Sequence, residues 1–357
     1  MLPPVIEASL PINKEDNFRV LYLPYGVGQR NLMIEMAKAS SFRSFMLLEI
    51  PDIERVSSLN QEITFILNSR DALASLEMFS RVVTATSFKT RLLPEGIANI
   101  IERSRTLGIP IVDVPHGLFQ PARNMTDNSV VIDHASGIHG MGDIIPSFAD
   151  TSVSWFGEDG VGYPRFQPWK TKNSSLVLPS YTVVTTNTNW YIYSTEDRRR
   201  LFHSLFSYME KNSDRLFIWA MHPSENTDGQ YAQIVSNRRP VNCLIYGLLD
   251  DILFDGLATT EDLIAHAESG ITTLSTCILD YEIHKVPLHV FDCRGSKKLV
   301  DSMESVSTFS NEHDLENAPI KPITGYLEPY NPRAFDEKLL GAAYSNIHMA
   351  DISRYLA

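Results

Sequence analysis

The stretch RVLYLPYGVGQRNLMIEMAKA, residues 19–39, joins an apolar run, a turn with two glycines and an amphipathic segment. The run RVLYLPY is rich in residues that favour strands, and Gly26-Val27-Gly28 ends it. The segment NLMIEMAKA that follows has the apolar spacing of a helix. The stretch therefore predicts a strand, a tight turn and a helix, which is the repeating unit of an α/β fold.

The same alternation of strand and helix patterns occurs in two series. The first includes strand-like runs at 44–50, 63–68 and 81–87, and the second begins at YTVVTTNTNW. Such alternation predicts parallel sheets covered on both faces. We therefore expect an α/β protein of two domains, each with a Rossmann-like parallel sheet. The expected parts are an N-terminal domain (1–160), a linker rich in helix breakers (161–179) and a C-terminal domain that ends in helices (180–357).

The composition argues against several classes of function. The chain has 357 residues, 43% of them hydrophobic, and a formal net charge of −12. This charge provides no basic surface for nucleic acid, so we expect no nucleic acid partner. Three cysteines without ligand spacing predict neither a disulfide framework nor a metal site. With no leader-like start and no apolar run of membrane-spanning length, the sequence favours a cytoplasmic protein.

The motif WAMHPSEN, residues 219–226, follows the strand-like run RLFI. In parallel sheets, ligands bind at the carboxyl ends of strands, where this motif stands. Pro223 fixes the direction of the chain, Ser224 is a residue that caps helices, and His222 supplies hydrogen-bond donors for an anion. The motif therefore predicts a phosphate-binding group.

The motif ESGITTLSTCILDYEIHKVP, residues 268–287, places hydroxyl side chains at the start of a second helix. Gly270 frees the backbone there, and helix starts favour anions through their N–H groups and dipole. An ordinary capped helix is the alternative, because Ser and Thr favour caps for local reasons. Together with the first motif, it predicts a nucleotide site that includes Thr273, Ser275 and Thr276.

Candidates for a catalytic base lie in the first half of the chain. His116 ends the strand-like run IVDVP, and Gly117 lets a ligand approach its imidazole, which suits a general base on an acceptor hydroxyl. A buried histidine bonded to backbone carbonyls is the alternative. Glu158 in WFGEDG and Asp133 in VVIDHASGIHGMGD rank behind it, since turn and loop residues are often only solvated. These spacings match no standard metal set, so we expect no metal.

The segment AESGITTLSTCILDYEIHKVPLHVF, residues 267–291, resembles one in bacterial surface-polysaccharide transferases. It is similar both to the CDP-glycerol glycerophosphotransferases of teichoic acid synthesis and to the Kdo and sialic acid transferases of capsule synthesis. The resemblance implies the GT-B architecture, in which two Rossmann-like domains face a cleft, with 1–160 as the acceptor domain and 180–357 as the nucleotide-donor domain. It also implies that His222-Pro223 and Ser275-Thr276 hold the nucleotide phosphates and that His116-Gly117 lies near the acceptor. Its acidic position is either Asp280 or Glu282.

The basic residue that often precedes His-Pro in these families is replaced here by WAM. The phosphate charge would then be met by helix dipoles, or by cations such as Arg294 or Lys285. The arginine run at 198–200 is interpreted as the solvated face of a helix that turns Leu201 and Phe202 inward.

The resemblance implies a glycosyltransferase that moves a sugar from a CMP-, UDP- or GDP-linked donor to a hydroxyl of a bacterial surface glycan, in capsule or lipopolysaccharide synthesis. The nucleotide sugar is a co-substrate, and no cofactor is implied. The acceptor would be a glycan or a lipid-linked glycan, which leaves open a peripheral association with the inner face of the membrane. Alternatives are a CDP-polyol phosphotransferase, a sugar-nucleotide epimerase and a non-catalytic nucleotide-sugar-binding assembly protein.

Overall fold

The computed structural model divides the chain into two compact units. It describes residues 15–48, 62–85, 94–115, 117, 119–123, 130–134, 149–156, 159–166, 178–188, 193–222, 225, 229–246, 259–291, 293, 307–309, 316 and 327–342. The first unit contains most of the described residues up to 166 together with residues 328–342. The second unit contains the described residues from 178 to 327 together with Gly117 and Phe119.

The first unit is built on a six-stranded parallel sheet with the order β3-β2-β1-β4-β5-β8. A separate two-stranded sheet pairs β6 with β7. The strands are β1 (Glu15–Leu23), β2 (Phe42–Leu47), β3 (Ile63–Ile66), β4 (Arg81–Thr84), β5 (Ile111–Asp113), β6 (Phe119–Arg123), β7 (Val130–His134) and β8 (Thr151–Ser152). The helices are α1 (Val27–Ala39), α2 (Ser69–Ala74) and α3 (Glu95–Thr106), with a 3₁₀ turn at Leu76–Met78.

The second unit is built on another six-stranded parallel sheet, with the order β11-β10-β9-β12-β13-β14. Its strands are β9 (Tyr181–Thr186), β10 (Leu216–Met221), β11 (Cys243–Tyr246), β12 (Ser269–Thr272), β13 (Leu288–Phe291) and β14 (Ser307–Phe309). Its helices are α4 (Thr195–Lys211), α5 (Gly229–Arg238), α6 (Thr260–Ala265) and α7 (Cys277–His284). Two parallel α/β domains, as the sequence predicts, are thus confirmed.

Local sequence signals explain where two of these helices begin. Gly26, at the start of α1, has φ 92°, a conformation that side chains with a Cβ disfavour, so the predicted tight turn requires this glycine. Ser194 caps α4 as predicted, since its hydroxyl accepts from the Asp197 N–H while the Asp197 carboxylate accepts from Ser194.

The last helix of the described chain, α8 (Pro332–Gly341), packs on the first unit, whereas the sequence analysis grouped it with the second. Phe335 and Leu339 are fully buried in the core that surrounds β1. The buried Asp336 carboxylate accepts hydrogen bonds from the Ser40 hydroxyl, the Ser41 hydroxyl and the Ser41 N–H, at 2.6–2.9 Å. Apolar burial and this carboxylate together hold the helix in place.

Within the described residues, the longest apolar helices fall short of what a membrane span requires.

Candidate functional site

The centre of the second sheet is a point where the chain changes direction. From β9 the chain proceeds to β10 and β11 on one side, and β12 then returns to the other side of β9. All these strands are parallel, so their carboxyl ends share one edge. Open α/β sheets bind ligands at such an edge, beside the strands where the order reverses. The candidate site is therefore the set of residues that end or directly follow β9, β10 and β12.

His222 directly follows β10, as predicted, and its imidazole is exposed. Although the side chain is exposed, protein atoms crowd it enough for desolvation to lower its pKa, and the nearby Glu225 carboxylate opposes that shift. The imidazole is therefore mainly neutral at neutral pH. Pro223 and Ser224 lie outside the described residues.

Glu225, in the same motif, is a fully buried carboxylate that ties the ends of β9 and β10 together. Its Oε1 accepts from the Thr188 N–H at 2.6 Å and the Thr188 hydroxyl at 2.7 Å. Its Oε2 accepts from the Thr186 hydroxyl at 2.7 Å and the His222 N–H at 3.1 Å. The sequence analysis missed this residue. Its four hydrogen bonds fix the loop after β9 against the loop that carries His222.

Thr273 follows β12 and is fully buried. Its hydroxyl oxygen accepts from the Asn187 N–H at 2.9 Å, and its own N–H donates to the Thr185 carbonyl at 3.3 Å. Thr273 thus joins β12 to the end of β9, at the reversal point itself. It forms part of the floor of the site.

Asn187 leaves one polar atom unused at this reversal point. The residue is only 8% exposed, and its side-chain Oδ1 is buried without a hydrogen-bond partner among the described residues. A buried amide oxygen without a partner is costly and calls for an explanation, of which a missing ligand is one. The sequence analysis also missed this residue.

Ser275 and Thr276 stand at the start of α7, as predicted. Ser275 is buried, and its hydroxyl oxygen accepts from the Cys277 N–H at 3.2 Å. The Ile278 and Leu279 N–H groups donate to the Ser275 and Thr276 carbonyls. The Thr276 side chain does not cap the helix. These three N–H groups are engaged within the turn, so what the helix start offers to an anion is its hydroxyls and its dipole.

Gly270 is needed for space rather than for an unusual backbone conformation. A Cβ at this position would lie 2.0 Å from Cε1 of the buried Tyr281 ring. The ring crosses the strand at the glycine, and its hydroxyl lies 3.2 Å from the Thr185 hydroxyl. The glycine therefore lets α7 pack closely on β12.

Glu282 lies in the C-terminal half of α7, and Lys285 directly follows the last residue of that helix. Glu282 Oε1 accepts from the Leu327 N–H at 3.2 Å, so one carboxylate oxygen holds the end of the second unit. Lys285 ends the helix in a left-handed conformation with φ 55°. The dipole end that favours anions is the opposite end of this helix, which argues against Lys285 as the phosphate cation.

The predicted base candidates come from the first half of the sequence. His116 and Glu158 lie outside the described residues, and so does Arg294 among the proposed cations. Asp133 lies in β7, in the two-stranded sheet. Where the structure describes the chain, no group of three His, Cys, Asp or Glu side chains is arranged to hold a metal ion.

A groove of about 860 Å³ opens between α4 and α5. Its floor includes Phe202, Phe206 and Ile234, and its rim includes Arg199 and Arg238. None of the predicted site residues lines it.

The chain is similar in fold to solved structures of sugar-nucleotide proteins. Staphylococcus aureus MnaA in complex with UDP is 9% identical, with 92% of each chain covered and a TM-score of 0.55. The UDP-GlcNAc 2-epimerase of Methanocaldococcus jannaschii is 12% identical, with 90% of this chain and 97% of that chain covered and a TM-score of 0.52. No protein-family model and no curated protein matches the chain. These similarities confirm the predicted fold of two Rossmann-like domains.

Proposed function

We propose that this protein is an enzyme that binds a nucleotide-activated sugar in its second unit and transfers the sugar to a hydroxyl of a bacterial surface glycan. The observation that carries the proposal is the convergence of polar groups at the carboxyl edge of β9, β10 and β12. His222 and Ser275 lie there beside the unpartnered amide oxygen of Asn187. A sugar nucleotide offers such an edge both phosphate acceptors and hydroxyl donors.

In this reaction the acceptor hydroxyl attacks the anomeric carbon of the sugar, and the bond to the nucleotide phosphate breaks. Negative charge therefore builds on the leaving phosphate. His222, Ser275 and Thr276 would donate hydrogen bonds to it, most strongly in the transition state. Strands β10 and β12 flank β9, so the segments that carry these donors leave the sheet on either side of β9. Pro223, Ser224, Thr273 and Glu282 complete the proposed donor site.

The proton of the acceptor hydroxyl has to be removed during transfer. We propose His116 as the general base, with Glu158 and Asp133 as the next candidates. Hydrogen-bond donors and the dipoles of α4 and α7 would meet the phosphate charge, so we expect transfer to continue in the presence of EDTA. A lipid-linked acceptor would bring the protein to the inner face of the membrane.

The first test is thermal stability in the presence of CMP, CDP, UDP and GDP, because a ligand of the folded state raises the melting temperature. We expect one nucleotide to stabilise the protein and His222→Ala to abolish that effect. His203→Ala is the matched control, since His203 is exposed in the middle of α4 and follows none of these strands. If no nucleotide at millimolar concentration stabilises the wild type, the proposal fails.

A pH series adds a readout specific to the imidazole. Burial lowers the pKa of free His222, whereas a bound phosphate would raise it. Binding would then take up a proton, so affinity should increase as the pH falls below 6.5, and His222→Ala should flatten the profile. An equally steep profile in the variant would exclude His222 from the phosphate site.

Epimerisation at C2 of the sugar is the second candidate, favoured by the similarity in fold to UDP-GlcNAc 2-epimerase. Incubation with UDP-GlcNAc separates the two reactions. An epimerase changes the sugar without an acceptor and keeps it attached to UDP, whereas a transferase releases UDP only when an acceptor is present. Release of CMP from a CDP-polyol would identify a phosphotransferase. Binding without turnover of any donor would identify an assembly protein.

A further inference from the structure

Asn187 carries an amide that the described hydrogen bonds leave out at the reversal point of the second sheet. The residue directly follows Thr186, the last residue of β9, and is only 8% exposed. Its backbone is fixed, because the Asn187 N–H donates to the Thr273 hydroxyl oxygen at 2.9 Å. Within the described residues, however, its Oδ1 has no hydrogen-bond partner, and neither has its Nδ2. A fixed backbone therefore presents an amide whose acceptor and donor are both unused.

The donors on either side of Asn187 are already committed. The Thr186 hydroxyl donates to Glu225 Oε2 at 2.7 Å, and it accepts from the Trp219 Nε1–H at 2.9 Å. The Thr188 N–H and hydroxyl both donate to Glu225 Oε1. Glu225 therefore holds these donors, and they are not available to the Asn187 oxygen.

The unused atoms determine which chemical group could satisfy them. Phosphate oxygens act as hydrogen-bond acceptors, so a phosphate beside this amide would leave Oδ1 without a donor. A hydroxyl carries one donor and two acceptor lone pairs, so hydroxyl groups satisfy both Oδ1 and Nδ2. The Thr273 hydroxyl supports the same choice, because its oxygen accepts from Asn187 and no described residue accepts from its hydrogen. The position therefore suits an uncharged polyol rather than a phosphate.

We propose that Asn187 selects the ligand of the second unit by binding a hydroxyl group of its sugar part, while the phosphates lie towards His222 and Ser275. The inference rests on the proposed function, because it assigns a specificity-determining residue to the same donor site. A site with a buried acceptor rejects a ligand that lacks the matching hydroxyl, since its polar group is then left unpaired. The ribose and the transferred sugar both carry such hydroxyls, and deoxy analogues separate these two sources.

Calorimetry with UMP, UDP and UDP-GlcNAc tests this, or with the cytidine or guanosine series if that base binds. We expect Asn187→Leu to weaken UDP-GlcNAc binding roughly 5- to 150-fold, the factor that corresponds to about 1–3 kcal/mol for a buried polar group left unsatisfied. The ratio of UDP to UMP affinity reports on the phosphates and should not change. Asn187→Ala should weaken binding similarly, which excludes a steric effect of leucine.

The loss for UDP itself identifies the hydroxyl. If the ribose supplies it, Asn187→Leu weakens UDP as much as UDP-GlcNAc. Either 2′-deoxy- or 3′-deoxy-UDP then binds the wild type and the variant equally, because the two losses are one interaction. If the transferred sugar supplies it, UDP binding does not change. Either result supports the inference.

Asn237→Leu is the matched control, because it makes the same change at an exposed position of α5. If Asn187→Leu binds UDP and UDP-GlcNAc as this control does, the inference is wrong, although the donor site stands. A changed ratio of UDP to UMP affinity would place a phosphate at the amide, and an equal loss for UDP and both deoxy analogues would place the base there. Both of these results overturn the inference. If the wild type binds no nucleotide at all, the proposed function itself fails.

Discussion

Replacing Glu225 by Gln should destabilise the second unit although it changes only one atom of the side chain. Each carboxylate oxygen accepts one backbone N–H and one hydroxyl, from Thr188 on one side and from His222 and Thr186 on the other. An amide supplies only one acceptor oxygen. Its NH₂ group must face either the Thr188 or the His222 N–H, and two donors cannot bond to each other.

The cost follows from which partners can adapt. The two hydroxyls can rotate and accept from the new NH₂ group, whereas a backbone N–H cannot reverse its role. One buried N–H is therefore left unsatisfied, at a cost of about 1–3 kcal/mol. Glu225→Ala leaves both N–H groups without an acceptor and creates a cavity. We therefore expect it to lower the free energy of unfolding by more, roughly 3–5 kcal/mol.

Hydrogen exchange measured by mass spectrometry locates this loss. At 1.4 kcal/mol per factor of ten, Glu225→Gln should speed exchange of the Thr188 or the His222 amide roughly 5- to 150-fold. Glu210→Gln makes the same chemical change at an exposed position of α4 and serves as the control. If the Glu225 variant exchanges and melts like the Glu210 variant, the four hydrogen bonds do not hold these loops together.

Three further outcomes follow from single contacts. Gly270→Ala should lower the free energy of unfolding by about 1–3 kcal/mol, because its Cβ would overlap the Tyr281 ring. Gly28→Ala should instead raise the free energy of unfolding by about 0.5–1 kcal/mol, because Gly28 lies in the first turn of α1 with open space around it and alanine favours a helix more than glycine does. Burial lowers the pKa of His289. The contribution of this group to stability is therefore fully present above its unfolded pKa of about 6.5, and it decreases at lower pH by at most about 1.4 kcal/mol per pH unit. His289→Asn should make the melting temperature less dependent on pH. Asp336→Ala should cost roughly 2–4 kcal/mol and expose α8 to proteolysis, because three donors lose their acceptor, whereas unchanged proteolysis would show that apolar packing alone holds the helix.

The fold could be predicted from the sequence because its signals are local. The apolar run before Gly26 became β1, and the Ser194 capping box became the start of α4. Helix α5 was not predicted, because the preceding motif WAMHPSEN contains a helix-breaking proline. The helix itself has few apolar residues, among them Ile234 and Val235. The position of α8 could not be predicted either, because Asp336 bonds to residues 295 and 296 positions away.

The candidate site shows the same limit. His222 and Ser275 were predictable, because polar residues that follow buried strands collect at one edge of a parallel sheet. Glu225 and Asn187 were missed because their significance depends on partners in other strands. Thr188 is 37 positions from Glu225, and Thr273 is 86 positions from Asn187. In sequence each is an ordinary polar residue in a loop.

The hydrogen bonds divide the site into a floor, whose polar groups bond within the protein, and a rim, whose polar groups are left for a ligand. These two parts should respond differently to mutation. Glu225 and Thr273 are committed to bonds within the protein, so their removal should lower stability and ligand binding together. Asn187 Oδ1 is buried without such a bond, which destabilises the free protein by about 1–3 kcal/mol. Asn187→Leu should therefore leave the melting temperature of the free protein unchanged or higher while it weakens nucleotide binding. A variant that loses stability and binds as the wild type does would show that this amide belongs to the floor, and that the ligand lies elsewhere.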